Sequence, residues 1–315
     1  MLAQQQGGGV NGEPWKKNRW WLFGRSVESP HTTSFYVRKD RADGYDWDEA
    51  AQYWYNGRKV PSSPEFTKFM EEAAKIVEVE VNKVLKTREK NELEWRGIWR
   101  PNVAAANCYK GSKESVGPHS DQLTYLGPYP TIASLTLGVE RNFRLRSQVP
   151  TSDSSFVSAT ARTYNLPLPH NSLLIMHAGC QENFKHSVPE MRVVDTFKLG
   201  DKTYTERINA CTITFRFYRP DFAPSPSPST PSTKIFNGTP KCKCDVPCIL
   251  RPDARYKAQR NMKVNGDETD CQGAEKMLFF WQCYGGAAKN QDDGCGFFKI
   301  LDMKGEGRGR WFDGA

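Results

Sequence analysis

His119-Ser-Asp121, the run Thr131-Ile-Ala-Ser-Leu-Thr-Leu-Gly138 that follows it, and His186 within Asn183-Phe-Lys-His186-Ser-Val-Pro189 are the stretches that decide how this chain is understood. Two imidazoles and one carboxylate suffice to hold a ferrous ion and leave coordination positions open, whereas a structural metal site is closed by protein ligands. An isolated His-x-Asp is a weak signal, but the chain has only five histidines and the neighbours strengthen it. Asn107-Cys-Tyr109-Lys-Gly111 reads as a strand end running into a polar loop, and residues 131–138 alternate with period two, as a half-buried strand does. Arg207-Ile-Asn209 and Thr214-Phe-Arg216 follow His186 on another β-rich run, and their guanidinium groups can grip a carboxylate bidentately.

In order and spacing, Asn107-Cys-Tyr109, His119-Ser-Asp121, residues 132–146, Ser172-Leu-Leu-Ile-Met176, His186-Ser-Val-Pro189 and residues 207–216 resemble the AlkB-type Fe(II) and 2-oxoglutarate dependent dioxygenases. The resemblance is close over residues 95–222. It implies an α+β, mainly β fold: a double-stranded β-helix, or jelly roll, with flanking helices and the metal in its open mouth. It further implies iron ligands at His119, Asp121 and His186. The distal carboxylate of 2-oxoglutarate would pair with Arg207, helped by Asn209, Asn107 and Tyr109, with Arg216 nearer the metal. The family pattern Arg-x-Asn-x-Thr-Phe-Arg is compact, whereas this chain reads Arg207-Ile-Asn209-Ala-Cys-Thr-Ile-Thr-Phe-Arg216, three residues longer. Odd spacing on a regular strand puts the two arginines on opposite faces. Either residues 210–213 bulge, or one arginine has lost the role, and Arg216 is then the one expected to keep it.

A second signal lies near the C-terminus. Cys242-Lys-Cys244, Cys283 and Cys295-Gly-Phe-Phe298 form two pairs in a segment with little apolar content, where Zn(II) supplies the missing stability. The Cys-x-Cys start, the Phe280-x-x-Cys283 approach and the Cys-Gly-Phe-Phe ending resemble a GRF-type zinc finger, a small β-rich module that commonly binds single-stranded nucleic acid. It departs from that family at Met277-Leu278, where the naming Gly-Arg pair belongs, and at Ile300, where tryptophan is usual, so zinc binding is better supported than nucleic-acid affinity. Residues 256–273 form a polar insert holding Cys271, which with Cys248 is a spare thiol. Disulfides are the alternative, against which stands the absence of a secretory segment.

These signals divide the 315 residues into a disordered tail (1–14), an oxygenase domain (15–222), a proline-alternating linker (223–234) and the cysteine module (235–315). The linker, Ala223-Pro-Ser-Pro-Ser-Pro-Ser-Thr-Pro-Ser-Thr233, is expected to keep the module near the catalytic mouth without fixing its orientation. Ser62-Ser-Pro-Glu65 predicts a helix start by its capping-box spacing. Phe66, Phe69, Met70, Ala73, Ile76, Val77, Val81 and Val84 then recur at helical spacing as a core stripe, and residues 83–94 read as a solvated charged face. No apolar run is long enough to span a bilayer and residues 1–14 lack signal-peptide character, so an intracellular, monomeric protein without a membrane partner is expected.

A net charge of +8 and a pI near 8.9 weakly favour a polyanionic partner. More specific is the interleaving of aromatics with cations in Ser34-Phe-Tyr-Val-Arg-Lys39, Tyr53-Trp-Tyr55-Asn-Gly-Arg58-Lys59 and Arg141-Asn-Phe-Arg144-Leu-Arg146, which suits base stacking beside phosphates. The second resembles the family's nucleotide-recognition lid, with Tyr55 as the stacking candidate, and Arg141 is the candidate for approaching the substrate base. Together the resemblances imply oxidative dealkylation of N-alkylated bases in DNA, with RNA next, using Fe(II), 2-oxoglutarate and O2 and releasing succinate, CO2 and formaldehyde. A nuclear location follows from that substrate alone. Two alternatives stay open: an oxygenase acting on a protein or small molecule, and an inactive domain whose finger binds nucleic acid.

Overall fold

The computed structural model describes residues 15–22, 25–38, 54–55, 58–59, 63–148, 161–191, 210–223, 238–254, 277–285 and 294–312. In chain order the elements are β1 (Lys16–Leu22), β2 (Arg25–Val37), β3 (Trp54–Tyr55), β4 (Arg58–Lys59), α1 (Lys68–Lys86), β5 (Val103–Tyr109), β6 (Val116–His119) and β7 (Ile132–Gly138). Then come β8 (Arg141–Ser147), β9 (Thr163–Leu168), β10 (Ser172–Met176), α2 (Cys180–Asn183), β11 (Phe184–Val188), β12 (Ala210–Arg216), β13 (Ile249–Pro252), β14 (Phe279–Gln282) and β15 (Phe298–Ile300). A six-stranded sheet in the order β1-β2-β5-β12-β7-β10 faces a four-stranded sheet in the order β6-β11-β8-β9. This is the expected jelly roll, and the strand ladders that build it are antiparallel.

Period-two side-chain alternation builds two cores on the larger sheet. One face sends Val103, Tyr109, Ile132 and Ala210 into the space between the sheets, where Phe143, Leu168 and Val188 of the smaller sheet meet them. The other face presents Ala104, Ala106, Ala133, Ile213 and Phe215 to α1. Small alanines let the helix approach closely, and each fully buried Val, Leu or Met it contributes is worth about 1.5–3 kcal/mol.

The helix differs from its sequence-based outline. It starts at Lys68, not near Ser62, because residues 63–66 pair with the end of β2: Val37 N donates to the Pro64 carbonyl at 2.9 Å and Phe66 N to the Val37 carbonyl at 2.8 Å. Thr67 caps the helix instead, its hydroxyl accepting from Met70 N at 3.2 Å. The buried stripe is Met70, Ala74, Val77, Val81 and Leu85, while Ile76 and Phe69 face water.

The cysteine module forms a three-stranded sheet, β13-β14-β15, and it is docked rather than loosely tethered. Leu123 and Phe222 of the jelly-roll part share a core with Val246, Leu250, Phe279 and Trp281. Fully buried Asp221 is the polar bolt: its carboxylate accepts from Arg219 at 2.9 and 2.6 Å and from Gly309 N at 2.6 Å. Arg308, also fully buried, donates to the Asp221 and Gly238 carbonyls and lies over the rings of Phe222 and Trp281. Ala223, first residue of the expected linker, is buried in the core between the two sheets, and residues 224–237 lie outside the described residues. Removing one partner of a buried pair leaves an uncompensated charge. Asp221→Ala is therefore expected to lower unfolding free energy by about 3–5 kcal/mol in urea titration. A loss under about 1 kcal/mol, the range of an exposed pair, would contradict the bolt.

Candidate active site

β6 and β11 are paired so that His119 and His186 stand opposite each other, and the chain leaving β6 turns Asp121 between them. Asp121 Oδ1 lies 3.8 Å from His119 Nε2 and 3.7 Å from His186 Nε2, and the two imidazole centroids are 4.2 Å apart. His119 Nδ1 donates to the Gly117 carbonyl at 2.8 Å, which fixes the ring with Nε2 toward Asp121. His186 is buried and stacked on Phe143 at 5.5 Å. Burial, with His119 beside it, pushes its pKa down to about 3, so the imidazole is neutral, the form that ligates metals.

The second oxygen of Asp121 is gripped by Arg216, whose Nε and Nη2 donate to Oδ2 at 3.0 and 2.8 Å. Burial disfavours ionising this carboxyl, but Arg216 and the two histidines outweigh it and hold Asp121 well below the usual carboxylate range. Asp121 N also donates to Oε1 of the fully buried Gln181 at 2.7 Å. The three candidate ligand atoms lie within 4.8 Å of one another, a donor set that fits a divalent ion bound on one side.

A cavity of about 590 Å³ opens beside the triad, lined by His119, Asp121, Arg216, Asn107 and His31 from the jelly roll. Arg251 and Tyr284 of the cysteine module line it too. Asn107 accepts from the Thr33 hydroxyl at 2.8 Å. Tyr109 behind it is fully buried, shares hydrogen bonds with Thr212 and Asn107, and has its phenol pushed above the usual range by burial.

β12 holds a continuous register against both β5 and β7 from Ala210 to Arg216, so the bulge considered for residues 210–213 does not occur. Arg216 keeps its place at the metal end. Arg207 and Asn209 lie outside the described residues, and Ala210 and Thr212 face Tyr109 and Asn107 across the ladder. β3 and β4 pair as a short hairpin at the expected lid, where the Tyr55 side chain is outside the description.

Arg141 is a correction. It is only 2% exposed, points between the sheets, donates to the Gly111 and Glu114 carbonyls and lies 5.8 Å from the Tyr109 ring centroid, so it braces a loop instead of meeting a base. The Ser34–Lys39 cation-aromatic run is corrected at its described positions: Tyr36 is buried, and buried Arg38 is paired with Glu71 and Glu78, while Lys39 lies outside the described residues. Sequence reasoning missed Gln181, Arg251 and Tyr284, which stand in no motif, and gave Thr212 within the 207–216 run no role; their places follow from the three-dimensional packing.

The second cluster brings Cys242, Cys244, Cys283 and Cys295 together with sulfurs within 4.8 Å of one another. Cys242 Sγ and Cys283 Sγ are 3.5 Å apart, and Cys244 Sγ and Cys283 Sγ 3.9 Å. A disulfide needs about 2.05 Å, whereas a tetrahedral zinc site with Zn–S near 2.3 Å spaces its sulfurs at about 3.8 Å. Cys248 is buried outside the cluster, its thiol pushed up to about 12 by burial, and Cys271 is outside the described residues. A Cβ on Gly285 would meet Cys244 Sγ at 2.5 Å. Gly285→Ala is accordingly expected to lower zinc retention at least about tenfold in a chelator competition, on the scale of other changes around ligands; unchanged retention would show that the four thiolates are not the site.

A family model described as the 2OG-Fe(II) oxygenase superfamily matches residues 16–216. The cattle protein named alpha-ketoglutarate-dependent dioxygenase alkB homolog 3 is 34% identical over 132 residues, 42% of each chain, and its human counterpart is also 34% identical over 132 residues, again 42% of each chain. The Arabidopsis thaliana protein named DNA oxidative demethylase ALKBH2 is 36% identical over 104 residues, 29% of this chain and 33% of the relative. The solved structure of OsALKBH1 aligns with 69% of this chain and 90% of its own at 15% identity and a TM-score of 0.44. The chain spans about two-fifths of the length of the alkB homolog 3 relatives it matches, and the cysteine cluster lies beyond the family match.

Proposed function

The chain belongs to the 2OG-Fe(II) oxygenase superfamily, and from that premise we propose that it removes N-linked methyl groups from bases in DNA, with RNA the next substrate in line. The observation that carries the proposal is an open His119, Asp121, His186 triad beside a cavity wide enough for a base. The relatives named as DNA oxidative demethylases support the choice of substrate. Nuclear location is part of the same proposal, as is Zn(II) held by the four cysteines in a GRF-like module.

His119, Asp121 and His186 would hold Fe(II), and with 2-oxoglutarate and O2 the ion supplies the oxidising power to hydroxylate an N-methyl carbon, with succinate and CO2 as co-products. The protein's own part is to position and to exclude. Arg216 keeps Asp121 ionised and fixes its plane, so that Oδ1 faces the metal side while Oδ2 is spent on the guanidinium. Phe143 fixes the ring of His186, and the Gly117 carbonyl fixes the tautomer of His119. Asn107, which lines the cavity, and Tyr109, buried behind it, are retained from the sequence as candidate partners for the 2-oxoglutarate carboxylate, as are Arg207 and Asn209. The target base must leave its stack to enter the cavity, which single-stranded or damaged nucleic acid permits at least cost. The hydroxymethyl amine that results collapses to formaldehyde and the restored base without a covalent nucleophile.

The test is formaldehyde and succinate release from an oligonucleotide bearing 1-methyladenine, given Fe(II), 2-oxoglutarate and air. Both products are expected in equal amounts, and His119→Ala is expected to lose more than about 100-fold, beyond what changes around a ligand cost. Succinate without formaldehyde would transfer the activity to a protein or small-molecule substrate. Neither product from an iron-loaded enzyme would favour the inactive binder.

A further inference from the structure

The cavity beside the triad has two walls from different parts of the chain. The jelly roll supplies one, and β13 with the residue after Cys283 supplies the other. That second wall is fixed in place. Leu250 N donates to the Thr124 hydroxyl at 3.3 Å, bolting β13 to the segment that carries Asp121, while Leu250 and Trp281 are buried in the shared core. Tyr284 is positioned by its neighbours, Cys283 in the cluster and Gly285 packed against Cys244.

Arg251 stands between buried Leu250 and Pro252 and turns toward the cavity. Arg216 spends its charge on Asp121, but among the described residues Arg251 forms no ion pair with a carboxylate. Water reaches it, yet the walls crowd it enough that desolvation lowers its pKa, with Tyr284 acting in the opposite direction. A partly desolvated guanidinium beside a phenol and an open cavity suits an anion carried next to a flat ring. A phosphodiester strand has that chemistry, with the phosphate on the cation and a base against the aromatic.

We propose that the cysteine module completes the substrate pocket: Arg251 contacts a phosphate of the strand that delivers the alkylated base, and Tyr284 packs against a flanking base. The proposal rests on the demethylase function above and assigns the module a share in substrate contact, where the sequence places it only near the catalytic mouth.

The test compares zinc-loaded, iron-loaded wild type with Arg251→Ala and Arg251→Lys on two substrates: a single-stranded oligonucleotide carrying 1-methyladenine, and 1-methyladenosine as the free nucleoside, which has no phosphate. Arg251→Ala is expected to lose about tenfold in kcat/KM on the oligonucleotide, the scale of one charge-assisted contact. Its salt slope for strand binding should flatten by about 1, and the nucleoside rate should be unchanged. Arg251→Lys should recover most of the oligonucleotide rate. Equal rates for wild type and Arg251→Ala on the oligonucleotide would overturn the proposal. So would the same loss on the nucleoside, which marks a structural role, or a loss traced to weaker 2-oxoglutarate binding. A wild type that demethylates neither substrate sinks the demethylase reading itself. Fluorescence anisotropy with an unmodified single strand then still decides on Arg251, since equal affinity in wild type and Arg251→Ala overturns the contact.

Discussion

Asp121 is a buried carboxylate shared between one guanidinium and two imidazoles, and the site depends on that sharing. Burying a carboxylate is costly unless it is paired and hydrogen-bonded. Arg216 on one sheet meets that cost for an aspartate reached from the other, with donor distances of 3.0 and 2.8 Å to a single oxygen. The same contact ties the two sheets together beside the cavity, because β12 and the strand leading into Asp121 belong to different sheets. It leaves Oδ1 for the metal side, where His119 Nε2 and His186 Nε2 converge. Stability of the barrel mouth and geometry of the ligand set are thus one interaction.

The C-terminal module belongs to the same construction. Its Leu250 is hydrogen-bonded to Thr124, three positions from Asp121, and its Arg308 and Gly309 close over Asp221, just past the end of β12. The four cysteines come from separate segments of the chain, so an ion held between them would set the path of Tyr284 and the course of β13. A metal at this cluster would therefore stand next to the residues that form one wall of the cavity beside His119 and Asp121.

Motif spacing made much of this legible. His119 with Asp121 and Cys242 with Cys244 stand at two-residue intervals that a strand end or turn holds together, and strand pairing brings in His186, Cys283 and Cys295 from farther along the chain. Alternation along Ile132–Gly138 likewise marks a strand with one face on the helix and one inside the roll. What sequence hides is the competing partner. The helix start moved from Ser62 to Lys68 because a strand end claimed residues 63–66. Arg38 and Arg141 look like surface cations among aromatics, yet half-buried carboxylates claim the first and loop carbonyls the second. The docking of the module rests on Asp221, Arg219 and Arg308, polar residues whose burial no hydrophobic periodicity announces.

The central claim is that His119, Asp121 and His186 form an open ferrous site coupled to 2-oxoglutarate. Anaerobic calorimetric titration of the full zinc-loaded chain tests it most directly, first with Fe(II) and then with 2-oxoglutarate. One ferrous ion should bind beyond the zinc, and 2-oxoglutarate should bind tightly only after the iron. A folded, zinc-loaded chain that takes up no iron, or that binds 2-oxoglutarate equally well without it, would contradict the account.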